Sequence, residues 1–345
     1  VSLLDGSVGT VSLVFDANSA PMGTAQRRTV AHDWGAGTGM ASDSSRVLGE
    51  AFTSAGGARV MAAACRMAGL DSEGAELIRF GENALYRLTA APVVVRVARS
   101  AEYLPAVRRE LAVSRWLSDE GFPAVRVVDD LEQPLTVEGH PVTFWHLIED
   151  AGREATYGEL GAVLRELHSL VPPEGLGLPA FDAFGRSDLR IESSNGISEN
   201  DREFLRKRRR ALTDRLAELR FPSGRGPVHG DAHTDNLMVD RKGRLHLIDL
   251  ENFCVDHPEW DLVVSAHEYD RLGWVSAENY AAFIGAYGRD LREWPGFRVL
   301  SAIQEFKMTT WLMQNVAEGP HVVDEVKRRL ASLRDDDAPR DWRPY

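Results

Sequence analysis

Asp231, Asn236 and Asp249 have the residue types and spacing of a phosphoryl-transfer site. They fall in VHGDAHTDNLMVD and the following LHLIDLEN: an aspartate, an asparagine a few residues on, and a second aspartate beyond a short hydrophobic run. Asp231 would accept or orient the proton of an attacking hydroxyl, the task of a general base. Asn236 and Asp249 would offer oxygen ligands to the magnesium that neutralises the phosphates of ATP, an ion that takes few protein ligands and keeps much of its water. Each piece alone also has a structural explanation, since motifs outside their context are weak and an aspartate after an apolar strand often opens a turn.

The local context favours the chemical reading. Leu237 to Val239 and Leu245 to Ile248 read as two short strands around the polar turn Asp240 to Arg244, with Gly243 suited to a tight bend. Such a hairpin carries Asn236 at one end and Asp249 at the other, so two oxygen ligands meet. Leu250 and Glu251 stand where protein kinases have Phe-Gly, and no A-P-E segment follows, which disfavours a protein kinase.

With these residues the chain resembles the aminoglycoside phosphotransferase and choline kinase-like family. His229, Gly230, Asp231 and Asn236 match its H-G-D-x-x-x-x-N, Ile248 and Asp249 match its I-D, and Asp261 in PEWDLV matches a further aspartate. Asp256 stands in CVDHPEW where the family usually has a glycine, which leaves open the backbone between Asp249 and Asp261. The resemblance implies an α+β, bilobal protein kinase-like fold: a small antiparallel β lobe with one helix, and a larger, mostly helical lobe. It implies an enzyme that moves the γ-phosphate of ATP to a hydroxyl of a small molecule with Mg2+; the alternative is a catalytically inactive nucleotide-binding module of the same fold.

The same likeness assigns the small lobe. Gly81, Glu82 and Asn83 would turn over the ATP phosphates, although one glycine also suits a plain hairpin. Arg96, in VVVRVAR, falls where kinases place a phosphate-binding lysine, and Glu110 where they place its carboxylate partner. A guanidinium binds phosphate bidentately but with a different reach, and a surface ion pair is the other reading of this couple. Leu147 and Ile148 would form the hinge whose backbone bonds adenine. His229 reads as support for the loop, and His168, closing the helix TYGELGAVLRELHSL, as a buried, hydrogen-bonded histidine.

These elements divide the chain into a poorly ordered leader over 1–45, an ATP-binding lobe over 46–150 and a catalytic and substrate-binding lobe over 151–345. GAGTG at Gly35 to Gly39 lacks the final glycine of a dinucleotide fingerprint, and Met40 reads as a natural start. ELIRF, LYRLTA and VVVRVAR form a strand meander, followed by a helix from Ala106 to Asp119 and two strands, VRVV and PVTFWHLI. Helices near Ala277 to Tyr287, Phe297 to Asn315 and His321 to Leu333 close the large lobe.

A net charge of -12 argues against nucleic acid or an anionic membrane as partner, and RKRRR at Arg206 to Arg210 reads as the solvated face of an amphipathic helix. No apolar run approaches the roughly 20 residues that cross a bilayer. Two widely separated cysteines, Cys65 and Cys254, fit free thiols in the cytoplasm. Glu251, Asp256, Glu259, Glu268, Asp270 and Glu278 would favour a cationic acceptor, and Trp260, Tyr269, Trp274 and Trp311 a quaternary amine. Core packing explains the aromatic residues equally, so a neutral metabolite or macrolide stays open.

Overall fold

The computed structural model describes residues 52–81 and 83–345. The expected leader, GAGTG, Met40 and Glu82 lie outside them.

The first lobe is a five-stranded antiparallel sheet in the order β1-β2-β3-β5-β4. Its strands are β1 (Glu76–Phe80), β2 (Asn83–Arg87), β3 (Val93–Ala98), β4 (Leu135–Val137) and β5 (His140–His146). Strand side chains alternate between faces, and β3 uses both. Val93, Val95 and Val97 pack under α1 (Ser54–Met67) with Val60, Met61 and Ala64, while Val94 and Ala98 belong to the core on the opposite face. Arg96 shares that opposite face, beside α2 (Leu104–Asp119), so burial of the valines dictates where its guanidinium points.

Two expectations are corrected here. Sequence periodicity gave no hint of α1, whose run of Ala and Gly carries little pattern; it is capped by Thr53, which accepts the Gly56 N–H at 3.0 Å. VRVV is also not the fourth strand, a place taken by β4. Val128 N–H does reach Phe144 O in β5 at 3.0 Å, but Val125 N–H reaches Leu247 O at 2.8 Å, so this run leaves the sheet to tie the two lobes together.

The second lobe begins at α3 (Tyr157–Leu167) and adds α4 (Ser187–Ser193), α5 (Glu199–Ala217), α6 (Glu259–His267), α7 (Ala277–Tyr287), α8 (Phe297–Met313) and α9 (Pro320–Leu333). A capping box fixes the start of α3: Glu159 N–H donates to Thr156 Oγ1 at 3.1 Å, and Thr156 N–H to Glu159 Oε2 at 2.8 Å. Its stripe Leu160, Val163, Leu164 and Leu167 is buried against α7, at an approach only glycine permits: a Cβ on Gly161 would lie 2.4 Å from Phe283 O. Four short strands carry the loops between these helices: β6 (Gly226–Val228) pairs with β9 (Cys254–Asp256), and β7 (Leu237–Val239) with β8 (Leu245–Leu247). Along α5 Leu205 and Leu212 are buried, as an amphipathic helix requires, but the basic run is less a solvated face than a paired one, with Arg206 bonded to Glu192 and Glu199 and Arg209 stacked on Phe184.

Candidate active site

The loop from His229 to Asn236 runs from β6 into β7, and one buried carboxylate fixes its start. Asp261, in the first turn of α6, accepts the His229 N–H on Oδ2 at 2.8 Å and the Gly230 N–H on Oδ1 at 2.9 Å. His168, delivered by the end of α3, bonds the same Oδ2 through Nε2 at 2.9 Å and Tyr287 OH through Nδ1 at 3.0 Å. Burial pushes the Asp261 carboxyl up, but His168 and the loop amides outweigh it and hold it below the usual carboxylate range. Gly230 has φ +85°, and a Cβ there would lie 2.6 Å from Asn252 O; no other residue fits between the loop and the turn after Asp249. The His229 ring is fully buried, with Nε2 2.8 Å from Ile248 O, in the supporting position expected of it.

Asp231 follows at the lip of the loop, its side chain 24% exposed and thus open to a substrate. Asn236 Nδ2 lies 2.8 Å from the Asp231 carbonyl and 3.0 Å from His233 Nε2, which is 3.5 Å from Asp231 Oδ2. Burial draws the His233 imidazole down, yet Asp231, Asp235 and Glu268 prevail and lift it to about 9. Burial, with Asp235 and Asp231 adding to it and His233 opposing, raises Glu268 to about 8.

The β7–β8 hairpin forms as the sequence suggests, with Gly243 at φ +77° in its turn. Ile248 N–H donates to Asn236 O at 2.9 Å across the open end of the hairpin, which sets Asn236 beside Asp249. Asp249 is held at φ +60°, ψ +66°, a left-handed conformation rare outside glycine and concentrated at functional sites. Burial and then Glu251 push its carboxyl well above the ordinary range, with Arg96 opposing. Asn236 Oδ1 and Asp249 Oδ2 are both buried without a hydrogen-bond partner, as oxygens aimed at a cation would be. Among the described residues no three His, Cys, Asp or Glu side chains form a self-sufficient metal site.

Arg96 Nη1 bonds both Glu110 oxygens, at 2.6 and 2.8 Å, and Nη2 reaches Glu251 at 3.1 Å. The couple is therefore a buried ion pair and not a surface one, and Glu251 links it to the turn after Asp249. Burial opposes the Arg96 charge, but Glu110, Glu251 and Asp249 more than restore it. Across the sheet Arg96 faces Leu85, and at the end of the same strand pair Asn83 faces Ala98. Gly81 N–H donates to Asn83 O at 3.0 Å, and Gly81 O accepts from Arg99 at 3.2 Å, so the β1–β2 turn is tied to the strand that carries Arg96. A narrow apolar cleft lined by Leu85, Val94, Val125, Trp145 and Ile148 ends at Arg96. Ile148 offers this cleft its side chain; the Leu147 N–H is not a free hinge donor, because it bonds Pro92 O at 2.9 Å.

On the other side of Asp231 lies a larger pocket, about 1180 Å³, walled by Phe181, Phe184, Phe253, Lys307 and Arg109. Burial lowers the Lys307 ammonium pKa, with Asp231 and Asp182 opposing. The acidic stretch after Asp249 does not shape this pocket as its composition suggests. Only Glu251 lines it; Asp256 holds the Phe181 N–H, Glu259 bonds Arg289, Asp270 lies by Arg292, and Glu278 is exposed on α7. Trp260 packs on Phe181, Tyr269 stacks on Tyr280, Trp274 bonds Trp342 O and Trp311 meets Tyr345, so none of the four walls the pocket. Asp256 itself has no left-handed φ, so this chain has no need of the family's glycine there. Sequence reasoning counted Glu251 among the acidic residues favouring a cationic acceptor and not as a partner of Arg96, and it gave no site role to Arg109 or Lys307, which no motif marks.

A family profile described as "Phosphotransferase enzyme family" matches residues 42–300. No curated protein matches the sequence. Among solved structures, an amicoumacin kinase in complex with AMP-PNP and Ca2+ is 14% identical, with a TM-score of 0.61 over 79% of this chain and 91% of that one. A microcompartment-associated aminopropanol kinase is 19% identical, with a TM-score of 0.58 over 76% of this chain and 93% of that one. A choline kinase from Streptococcus pneumoniae is 16% identical, with a TM-score of 0.54 over 79% of this chain and 98% of that one. Identities this low speak for the fold alone, which is α+β and protein kinase-like.

Proposed function

Because the chain belongs to the phosphotransferase enzyme family, and so is a small-molecule kinase, we propose that it moves the γ-phosphate of ATP to a hydroxyl of a small molecule, with Asp231 as the catalytic residue. The observation that carries this reading is the pair of unpartnered buried oxygens, Asn236 Oδ1 and Asp249 Oδ2, beside the accessible Asp231.

Adenine would enter the apolar cleft against Leu85, Val94 and Ile148, with Arg96 at the phosphate end. The acceptor would enter the larger pocket and meet Asp231 on its wall. Its hydroxyl oxygen attacks the γ-phosphorus, the bond to the β-bridging oxygen breaks, and ADP leaves with that electron pair. Asp231 orients the hydroxyl and takes its proton. A loose phosphoryl-transfer transition state asks for positioning and charge neutralisation more than for bond-making. Asn236 and Asp249 would hold a divalent cation, Mg2+ in our reading, which supplies neutralisation of the phosphate charge. Glu110 and Glu251 keep Arg96 charged and aimed.

An inactive module of the same fold is the weaker reading, since Asp231, Asn236 and Asp249 are all present. Among the described residues no helix is long and apolar enough to cross a membrane, and Cys65 and Cys254 are free and buried. We place the enzyme in the cytoplasm, where ATP and reduced thiols coexist. Asp231→Ala should lower ATP-dependent turnover roughly 10²- to 10⁴-fold while Mg2+-ATP still protects the variant against thermal unfolding. Near-normal turnover in that variant refutes the assignment.

A further inference from the structure

We infer that the acceptor carries an anionic group, a carboxylate or a phosphate, beside the hydroxyl that is phosphorylated, and that Arg109 and Lys307 receive it. This rests on the reading above, in which that hydroxyl sits at Asp231.

The two cations reach the pocket from different lobes, Arg109 from α2 and Lys307 from α8. Among the described residues neither side chain forms an ion pair or a hydrogen bond; Lys307 Nζ faces the Phe181 ring, 5.1 Å from its centroid, with Asp231 and Asp182 acting on it from farther off. Both residues are half-buried on one pocket wall, where a cation gains from an anionic partner brought to it. The carboxylates that share the pocket are engaged elsewhere. Glu251 bonds Arg96, and Asp182 accepts the Phe184 and Gly185 N–H groups at 3.1 and 2.9 Å. Asp231 is needed at the reacting hydroxyl. Four cations, Arg109, Arg186, Arg190 and Lys307, line the pocket against three carboxylates, Asp182, Asp231 and Glu251, of which Glu251 is already matched by Arg96, so the pocket is net positive within a chain whose formal net charge is -12.

Nucleotide phosphate is a poorer explanation for these cations. The apolar cleft that ends at Arg96 shares no lining residue with the pocket of Arg109 and Lys307, and Asp231 is on the wall of the latter. An anion held between Arg109 and Lys307 would also join the two lobes over the reacting groups, so that the correct acceptor assembles the site.

The test uses the full chain with saturating Mg2+-AMP-PNP and matched probes: gluconate against sorbitol, glucose 6-phosphate against glucose, glycerate against glycerol, choline, and inorganic phosphate and sulfate against chloride at equal ionic strength. We expect saturable thermal stabilisation by anionic probes that their neutral twins lack, and its loss in Lys307→Met. In coupled ATP turnover with an anionic acceptor, Lys307→Met should lower kcat/KM roughly a hundredfold, as truncating one partner of a buried charge pair does, with AMP-PNP affinity unchanged. The inference is overturned if no anion binds saturably, if anions act no better than their neutral twins, or if choline or a polyol is phosphorylated with kcat/KM untouched by Lys307→Met. Weakened AMP-PNP binding in that variant overturns it too, by placing the cation on the nucleotide. Absence of AMP-PNP binding to the wild type would sink the phosphotransferase reading instead; the anion shifts, repeated without nucleotide, still decide the role of Arg109 and Lys307.

Discussion

Replacing Asp261 by asparagine keeps the shape of the side chain and removes what the catalytic loop hangs on. Asp261 Oδ1 accepts one amide and Oδ2 accepts another together with His168 Nε2, all within 2.8 to 2.9 Å and on a fully buried carboxylate. An asparagine carries one acceptor oxygen only. Its NH2 must face either the Gly230 N–H or the pair from His229 and His168, so at least one buried donor meets a donor. A hydrogen bond to a charged group contributes about 1.5–3 kcal/mol, and a stranded buried donor costs about 1–3 kcal/mol more. The expected loss in unfolding free energy is therefore about 3–5 kcal/mol, a large share of the roughly 5–15 kcal/mol that holds a domain folded. Gly230 sits between Asp261 and Asn252, so the same change lets Asp231 drift, and a displacement of about 1 Å costs roughly 10²-fold in rate. Urea unfolding and ATP turnover measure the two effects, and a cycle with His168→Ala should show non-additive losses because both residues share Oδ2. A stability change under about 1 kcal/mol with turnover intact would refute the claim that this carboxylate sets the loop.

Arg96→Ala should strip Glu110 of its partner in a buried place, costing about 3–5 kcal/mol of stability as well as nucleotide affinity, whereas the double variant Arg96→Met/Glu110→Leu should recover much of the stability and none of the affinity. Denaturant melts and AMP-PNP titration separate these outcomes. His267 is buried with Nδ1 2.8 Å from Ser301 Oγ, and burial, aided by Arg271 and Arg340, lowers its pKa from 6.5 to about 4. The unfolded chain therefore takes up a proton near pH 6.5 that the folded chain refuses until about pH 4. Stability falls across that window by about 3 kcal/mol, and His267→Gln should flatten it, as pH-dependent thermal unfolding will show.

The sequence by itself determined which residues are proposed to react and the hairpin that joins two of them. Residues 231 to 249 lie close along the chain, so spacing, apolar runs and Gly243 suffice to bring Asn236 near Asp249, and short-range stereochemistry does the rest. The strand β3 was legible for a related reason, because alternating burial fixes the face of Arg96 whatever surrounds the sheet. Only the tertiary structure decided what charge the pocket beside Asp231 presents. Its walls come from α2, the segment before α4, the turn after Asp249 and α8, which are remote in sequence, and the carboxylates crowded into the stretch after Asp249 turn mostly to other partners. Composition counts charges without saying which of them cancel. Arg96 and Lys307 carry the same formal charge, but one is matched by Glu110 and Glu251 and the other faces an aromatic ring beside Asp231. That distinction depends on contacts between distant segments and on burial, and neither has a local signal in the chain.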